Sequence, residues 1–128
     1  MIRRSKAERR RYPRVEKRLP LKILANGYDF VTSTQNLSCI GAYCHVDKYI
    51  PPFTKITVKL ALPIMTDTKK QYYNVACNGV IIRTEDKSSG GFNVAIFFNE
   101  IKDNQRQKIS RYIEQFLPKE SSTASRRL

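Results

Sequence analysis

The sequence has no tryptophan and a single histidine, His45. That removes most multi-histidine metal sites and most histidine-based catalytic triads. Its three cysteines, Cys39, Cys44 and Cys77, fall in no paired spacing and make no disulfide framework. Three thiols without a fourth ligand rarely hold zinc, so small core fillers are the reading for them. No apolar run approaches the roughly 18 residues of a membrane-spanning helix. The N-terminus, MIRRSKAERRR, lacks the apolar stretch of a signal peptide, so a cytoplasmic location is expected. There is no internal repeat. Asp29, Asp47, Asp67, Glu85 and Asp86 fall in different turns, and no acid/base pair can be argued from them. With no nucleophile–base or metal arrangement visible, the expectation is a protein that is not an enzyme and carries no metal or cofactor.

What is present fits one domain. The 128 residues are 41% hydrophobic, enough for a single core. Lys and Arg number 24 against 11 Asp and Glu, a formal net charge of +13. The excess is local: residues 1–22 carry a net of +8, residues 118–128 add +2, and the body between them carries only +3. An Arg-rich arm over residues 1–18, on a nearly balanced body, suits an anionic partner: nucleic acid, a nucleotide or an acidic membrane face. A disordered, solubilising tail is the plain alternative, and composition does not separate the two.

The body, residues 19–117, reads as short strands. Leu21, Ile23 and Ala25 alternate with Lys22, Leu24 and Asn26, and Asn26-Gly27 marks a tight hairpin turn. Residues 29–37 return as a strand rich in β-branched and aromatic residues. The run 36–41, Asn-Leu-Ser-Cys-Ile-Gly, is expected to break it. Residues 42–46 form a short strand and 47–53, with Pro51-Pro52, a loop. In residues 55–62, Ile56, Val58, Leu60 and Leu62 point inward by their alternation. A long strand over 72–84 carries a bulge at Asn78-Gly79. After a turn at 87–91 comes the last strand, 92–98. Residues 102–117 then turn helical, with Ile109, Tyr112, Ile113, Phe116 and Leu117 on one stripe together with Ile101. The tail 118–128 is Ser/Thr-rich and expected to be disordered. Six strands and a terminal helix predict a mainly β fold, a small six-stranded antiparallel barrel capped by that helix.

Two clusters flank the first hairpin. Arg9-Arg10-Arg11-Tyr12-Pro13-Arg14 precedes the first strand, and Asn36-Leu37-Ser38-Cys39-Ile40-Gly41 ends the second. A hairpin returns the chain to its own start, so the two should meet at one rim of the barrel. Arginine presents a planar fork of donors that suits phosphate oxygens and the O6/N7 edge of guanine, and it stacks on flat rings. Asn36 adds an amide that reads a base edge, and Ser38 a hydroxyl for a phosphate or a backbone group. Gly41 permits a positive φ or close approach of a ligand to the backbone. Together these suit a guanine-containing phosphate ligand.

On these residues the chain resembles a PilZ domain, the bacterial receptor module for cyclic di-GMP. Arg10-x-x-x-Arg14 matches the family's first motif and Asn36-x-Ser38-x-x-Gly41 its second. Arg14-x-x-x-Arg18 also fits the first pattern, but Arg-Arg-Tyr-Pro-Arg is similar to the family's usual context. The likeness continues through Gly91-Phe92-Asn93-Val94-Ala95-Ile96-Phe97-Phe98 and the helix after it, over residues 8–117. It implies a barrel of the split-barrel type with a flexible basic arm. It also implies cyclic di-GMP held by Arg9, Arg10, Arg14, Asn36, Ser38 and Gly41, and a signal relayed to a downstream protein in motility, biofilm or virulence. Asn36 stands where the family often has Asp. Arg9, just before the motif, resembles members that take an intercalated pair of cyclic di-GMP molecules. The implied mechanism orders the arm over the ligand.

Two other functions are weighed against this one. A nucleic-acid-binding barrel would track a phosphate backbone with the arm, with steep salt dependence and no preference for guanine; interleaved surface aromatics for stacking are missing, which argues against nucleic acid as a partner. A PilZ-like module that works through protein contacts alone would not keep the motif residues. His45 reads as a structural or surface strand residue.

Overall fold

The computed structural model describes residues 12–65 and 69–117. Six strands precede one helix: β1 (Pro20–Ala25), β2 (Tyr28–Ser38), β3 (Gly41–Val46), β4 (Lys55–Met65), β5 (Lys70–Asp86), β6 (Phe92–Glu100) and α1 (Asp103–Glu114). All pairings are antiparallel, and the order β1-β2-β3-β6-β5-β4 closes through a β1–β4 ladder. Closure removes the free edges that a flat sheet of this size would expose.

Alternation decides which side chains fill the barrel. Leu21, Ile23 and Ala25 of β1 point inward, as do Ile56, Val58, Leu60 and Leu62 of β4, and all seven are buried. Each large aliphatic side chain buried in this way contributes about 1.5–3 kcal/mol. Asn26 and Gly27 both have positive φ, 50° and 84°, and close β1 onto β2 in a two-residue turn. Ile109, Tyr112 and Ile113 of α1 are buried, and the helix packs on β5, β4 and β2. Phe116 and Leu117, expected on the same stripe, stay about 40% exposed at 41% and 39% because the helix has ended before them.

Packing on the body begins upstream of the strands. Val15 pairs with Leu37 through two backbone hydrogen bonds of 2.9 and 3.0 Å, and both side chains are buried. Leu19 is buried too. The hydroxyl of the buried Thr34 accepts from Leu19 N at 3.0 Å and donates to the Lys17 carbonyl at 2.5 Å. Thr34 therefore staples residues 17–19 to β2.

Three irregularities interrupt the ladders. The β2–β3 register shifts at Gln35, and the β5–β6 register shifts at Gly79 and again at Ile82. At the first β5–β6 shift the extra residue lies on β6, between Phe97 and Glu100, so β5 itself does not carry the bulge expected at Asn78-Gly79. The Pro51–Thr54 turn carries backbone strain. Thr54 N donates to the Pro51 carbonyl at 3.3 Å, and Phe53, at its third position, has φ 71°. Type II turns reserve that place for glycine. Phe53 is 80% exposed, so the ring recovers little by burial.

Cys44 and Cys77 are buried core residues. Burial pushes the Cys44 thiol up to about 12 and that of Cys77 up to about 11, so both stay protonated and unreactive near neutral pH. Cys39 is half-buried in the β2–β3 turn. Among the described residues no helix is long and apolar enough to cross a membrane.

Candidate ligand cleft on the barrel wall

A cleft of about 150 Å³ opens on the outer wall where β2, β3, β6 and β5 run side by side. Arg14, Asn36, Ser38 and Gly41 all line it. The two halves of the sequence pattern thus meet at one place. Arg9 and Arg10 lie outside the described residues.

The Val15–Leu37 pair brings the halves together. In the antiparallel register it sets, Arg14 stands beside Ser38. The bulge at Gln35 then decides which side chains face out. Thr34 is buried inside the barrel, and strict alternation would turn Asn36 inward and Leu37 outward. The extra residue reverses that parity: Leu37 fills the core and Asn36 looks into the cleft, opposite Tyr43.

The run 36–41 does not break the strand as expected. β2 continues through Ser38, and only Cys39 and Ile40 form the turn. Ser38 makes so short a turn possible: its buried hydroxyl accepts from Ile40 N at 3.2 Å. Ile40 is fixed in turn by its carbonyl, which accepts from Phe98 N at 2.9 Å. Of the two partners read for the Ser38 oxygen, the structure shows a backbone group. The same hydroxyl still carries a proton to donate.

Gly41 differs from one expectation. It is not among the glycines with positive φ. A Cβ there would collide with the Ile96 carbonyl of β6. Gly41 is needed for close approach of strand to strand, and the same bareness leaves its backbone open to the cleft.

The far wall was not read from the sequence. Tyr43 and Arg83 stand there, with Ile82 and Phe97 as apolar floor. Among the described residues lining the cleft two are arginines and none is acidic. Guanidinium forks, an amide and flat apolar surface together can hold a phosphate beside a planar base. A wider groove of about 840 Å³ lies near Asn78 and Gln105. Inside it Asn78 donates to Glu100 at 2.9 Å, and Gln105 accepts from Ala76 N at 2.8 Å. None of the described motif residues lines it.

A closed six-stranded antiparallel barrel with a basic, amide-bearing cleft on its wall defines a ligand-binding module of the PilZ type. Residues 8–115 match the family model described as PilZ domain, and the chain belongs to that family. Among solved structures, the inhibitor of motility of Bacillus subtilis, MotI/DgrA, superposes with a TM-score of 0.70 at 14% identity, over 99% of this chain and 55% of its own. The chain thus spans about half the length of that protein. The PilZ domain of YcgR from Escherichia coli, with c-di-GMP, superposes with a TM-score of 0.53 at 14% identity, over 94% of this chain and 99% of its own. At such identity the likeness is one of fold. No curated protein matches the sequence.

Proposed function

We propose that the chain is a cyclic di-GMP receptor, acting in the cytoplasm, that passes the signal to a partner protein and catalyses no reaction. One observation carries the reading: in a PilZ domain, Arg14, Asn36, Ser38 and Gly41 converge on a single cleft with no acidic lining among the described residues. Arg14 takes a phosphate or the O6/N7 edge of a guanine, and Asn36 and Ser38 take the base edge and the nearby phosphate or ribose. The YcgR domain of similar fold was solved with this ligand. The likeness to MotI/DgrA makes motility the first output to examine, before biofilm or virulence.

The arm has a part in this reading. Ligand pockets commonly enclose about 300–1,000 Å³. At about 150 Å³ this one accommodates only part of a dinucleotide. Arg9 and Arg10, which lie outside the described residues, are assigned to the rest of the ligand in this reading. Ordering backbone costs about 1–2 kcal/mol per residue, and each charge-assisted hydrogen bond returns about 1.5–3 kcal/mol, so several arginines must act together. Arg9 also suits a second cyclic di-GMP stacked on the first.

Isothermal titration calorimetry tests the reading, at physiological salt, with GTP and single-stranded DNA as controls. Cyclic di-GMP binds at micromolar affinity or tighter, and Arg14→Ala weakens it at least about a hundredfold. The stoichiometry decides between one ligand and two. An Arg14→Ala protein that binds as the wild type does, or a wild type that prefers DNA in a salt-sensitive way, refutes the assignment.

A further inference from the structure

We propose that Arg83 is a further ligand-binding residue of this cleft, held ready by Glu85 and Tyr43 and handed to the ligand when the site fills. The proposal rests on the cyclic di-GMP reading above and names a residue outside both sequence motifs.

The backbone places Arg83 there. The β5–β6 register shifts between Ile81 and Arg83. Ile81 points into the core and Ile82 outward. Strict alternation would send Arg83 inward again, but the extra residue turns it out, and it lines the cleft with Arg14 and Asn36.

The neighbours of Arg83 hold it in place. On β6, Ala95 lies between Tyr43 and Arg83 in the ladder, paired with each. Its small side chain lets the outer two meet across it. The Arg83 guanidinium lies 6.0 Å from the centre of the Tyr43 ring. Its Nε is 3.1 Å from Glu85 Oε2, and Tyr43 donates its hydroxyl proton to Glu85 Oε1, also at 3.1 Å. Arg83 and Glu85 are both about half exposed, at 56% and 50% of their side-chain surface. An exposed pair of this kind is weak and readily exchanged. Glu85 itself does not line the cleft.

This arrangement describes a counterion exchange. Without ligand, Glu85 neutralises Arg83, and Tyr43 holds Glu85 through its hydroxyl. A phosphate or guanine carbonyl entering between Arg14 and Arg83 offers the fork a better acceptor than a solvated carboxylate. Glu85 therefore sets the affinity downward, and Arg83 sets it upward.

The test is a double-mutant cycle read by titration of the full chain with cyclic di-GMP. Arg83→Ala lowers affinity about tenfold, roughly one charge-assisted hydrogen bond. Arg83→Lys keeps the charge without the fork and recovers less than half of that loss on a logarithmic scale, roughly threefold at most. Glu85→Gln tightens binding about two- to fivefold, and the gain disappears when Arg83 is already alanine. Arg14→Ala is run beside them as a check on the site. The proposal is overturned if Arg83→Ala binds like the wild type while Arg14→Ala does not. It is equally overturned if Glu85→Gln weakens binding, which would make Glu85 a reader of guanine, or if its gain survives without Arg83. A wild type that takes no cyclic di-GMP refutes both this and the receptor reading.

Discussion

Two halves of the barrel are built on different terms. The ladders β1–β2, β1–β4 and β4–β5 run in unbroken register. The ladders β2–β3 and β5–β6 are interrupted three times, at Gln35, Gly79 and Ile82. The cleft spans this interrupted pair and the unbroken β3–β6 ladder between them. In the regular half, alternation serves the core alone. In the other half, two of the three breaks in alternation turn a polar side chain, Asn36 or Arg83, toward one place on the wall. Stability and recognition are thus carried by different ladders, and substitutions should separate them.

The largest effect expected is in the regular half. Leu62 is fully buried on β4. Leu62→Ala removes core volume that the barrel cannot refill and lowers stability by about 2–5 kcal/mol, read by urea denaturation. Cyclic di-GMP affinity of the remaining folded protein stays within about twofold of wild type, as expected for independent sites. Loss of binding along with stability would erase the division. A smaller and opposite effect is expected at Phe53, on the β3–β4 loop. Phe53→Gly relieves the left-handed backbone of the Pro51–Thr54 turn and raises stability by about 1 kcal/mol in the same assay. A loss of stability there would show that the exposed ring contributes packing that offsets its strain.

The same division decides what was legible in the sequence. The regular half announces itself: Leu21, Ile23 and Ala25, and the Ile56 to Leu62 alternation, could be assigned to the core from spacing alone. The Asn26-Gly27 turn carries its own signal, because glycine marks positions where the chain departs from strand geometry. The bulges at Gln35 and Ile82 have no such mark. Neither residue is unusual in a strand, so the parity reversals that expose Asn36 and Arg83 could not be read. Asn36 was found regardless, through its spacing from Ser38 and Gly41; Arg83 and Tyr43, in no motif, were not. The turn after Ser38 was also drawn too long, since Cys39-Ile40 lacks turn-forming residues and a serine hydroxyl closes it instead. Val15 was read as part of the arm because a single apolar residue among charges shows no period; its pairing with Leu37 depends on a strand far along the chain.

The most direct test of the account is a titration of the isotope-labelled protein with cyclic di-GMP, followed by backbone amide chemical shifts. The account predicts that the large shifts fall on residues 36–43, 82–83 and 95–97, while residues 21–25 and 56–62 hardly move. Large shifts centred on Asn78 and Glu100 in the wider groove, or across the β1–β4 face, with the cleft residues quiet, would contradict it.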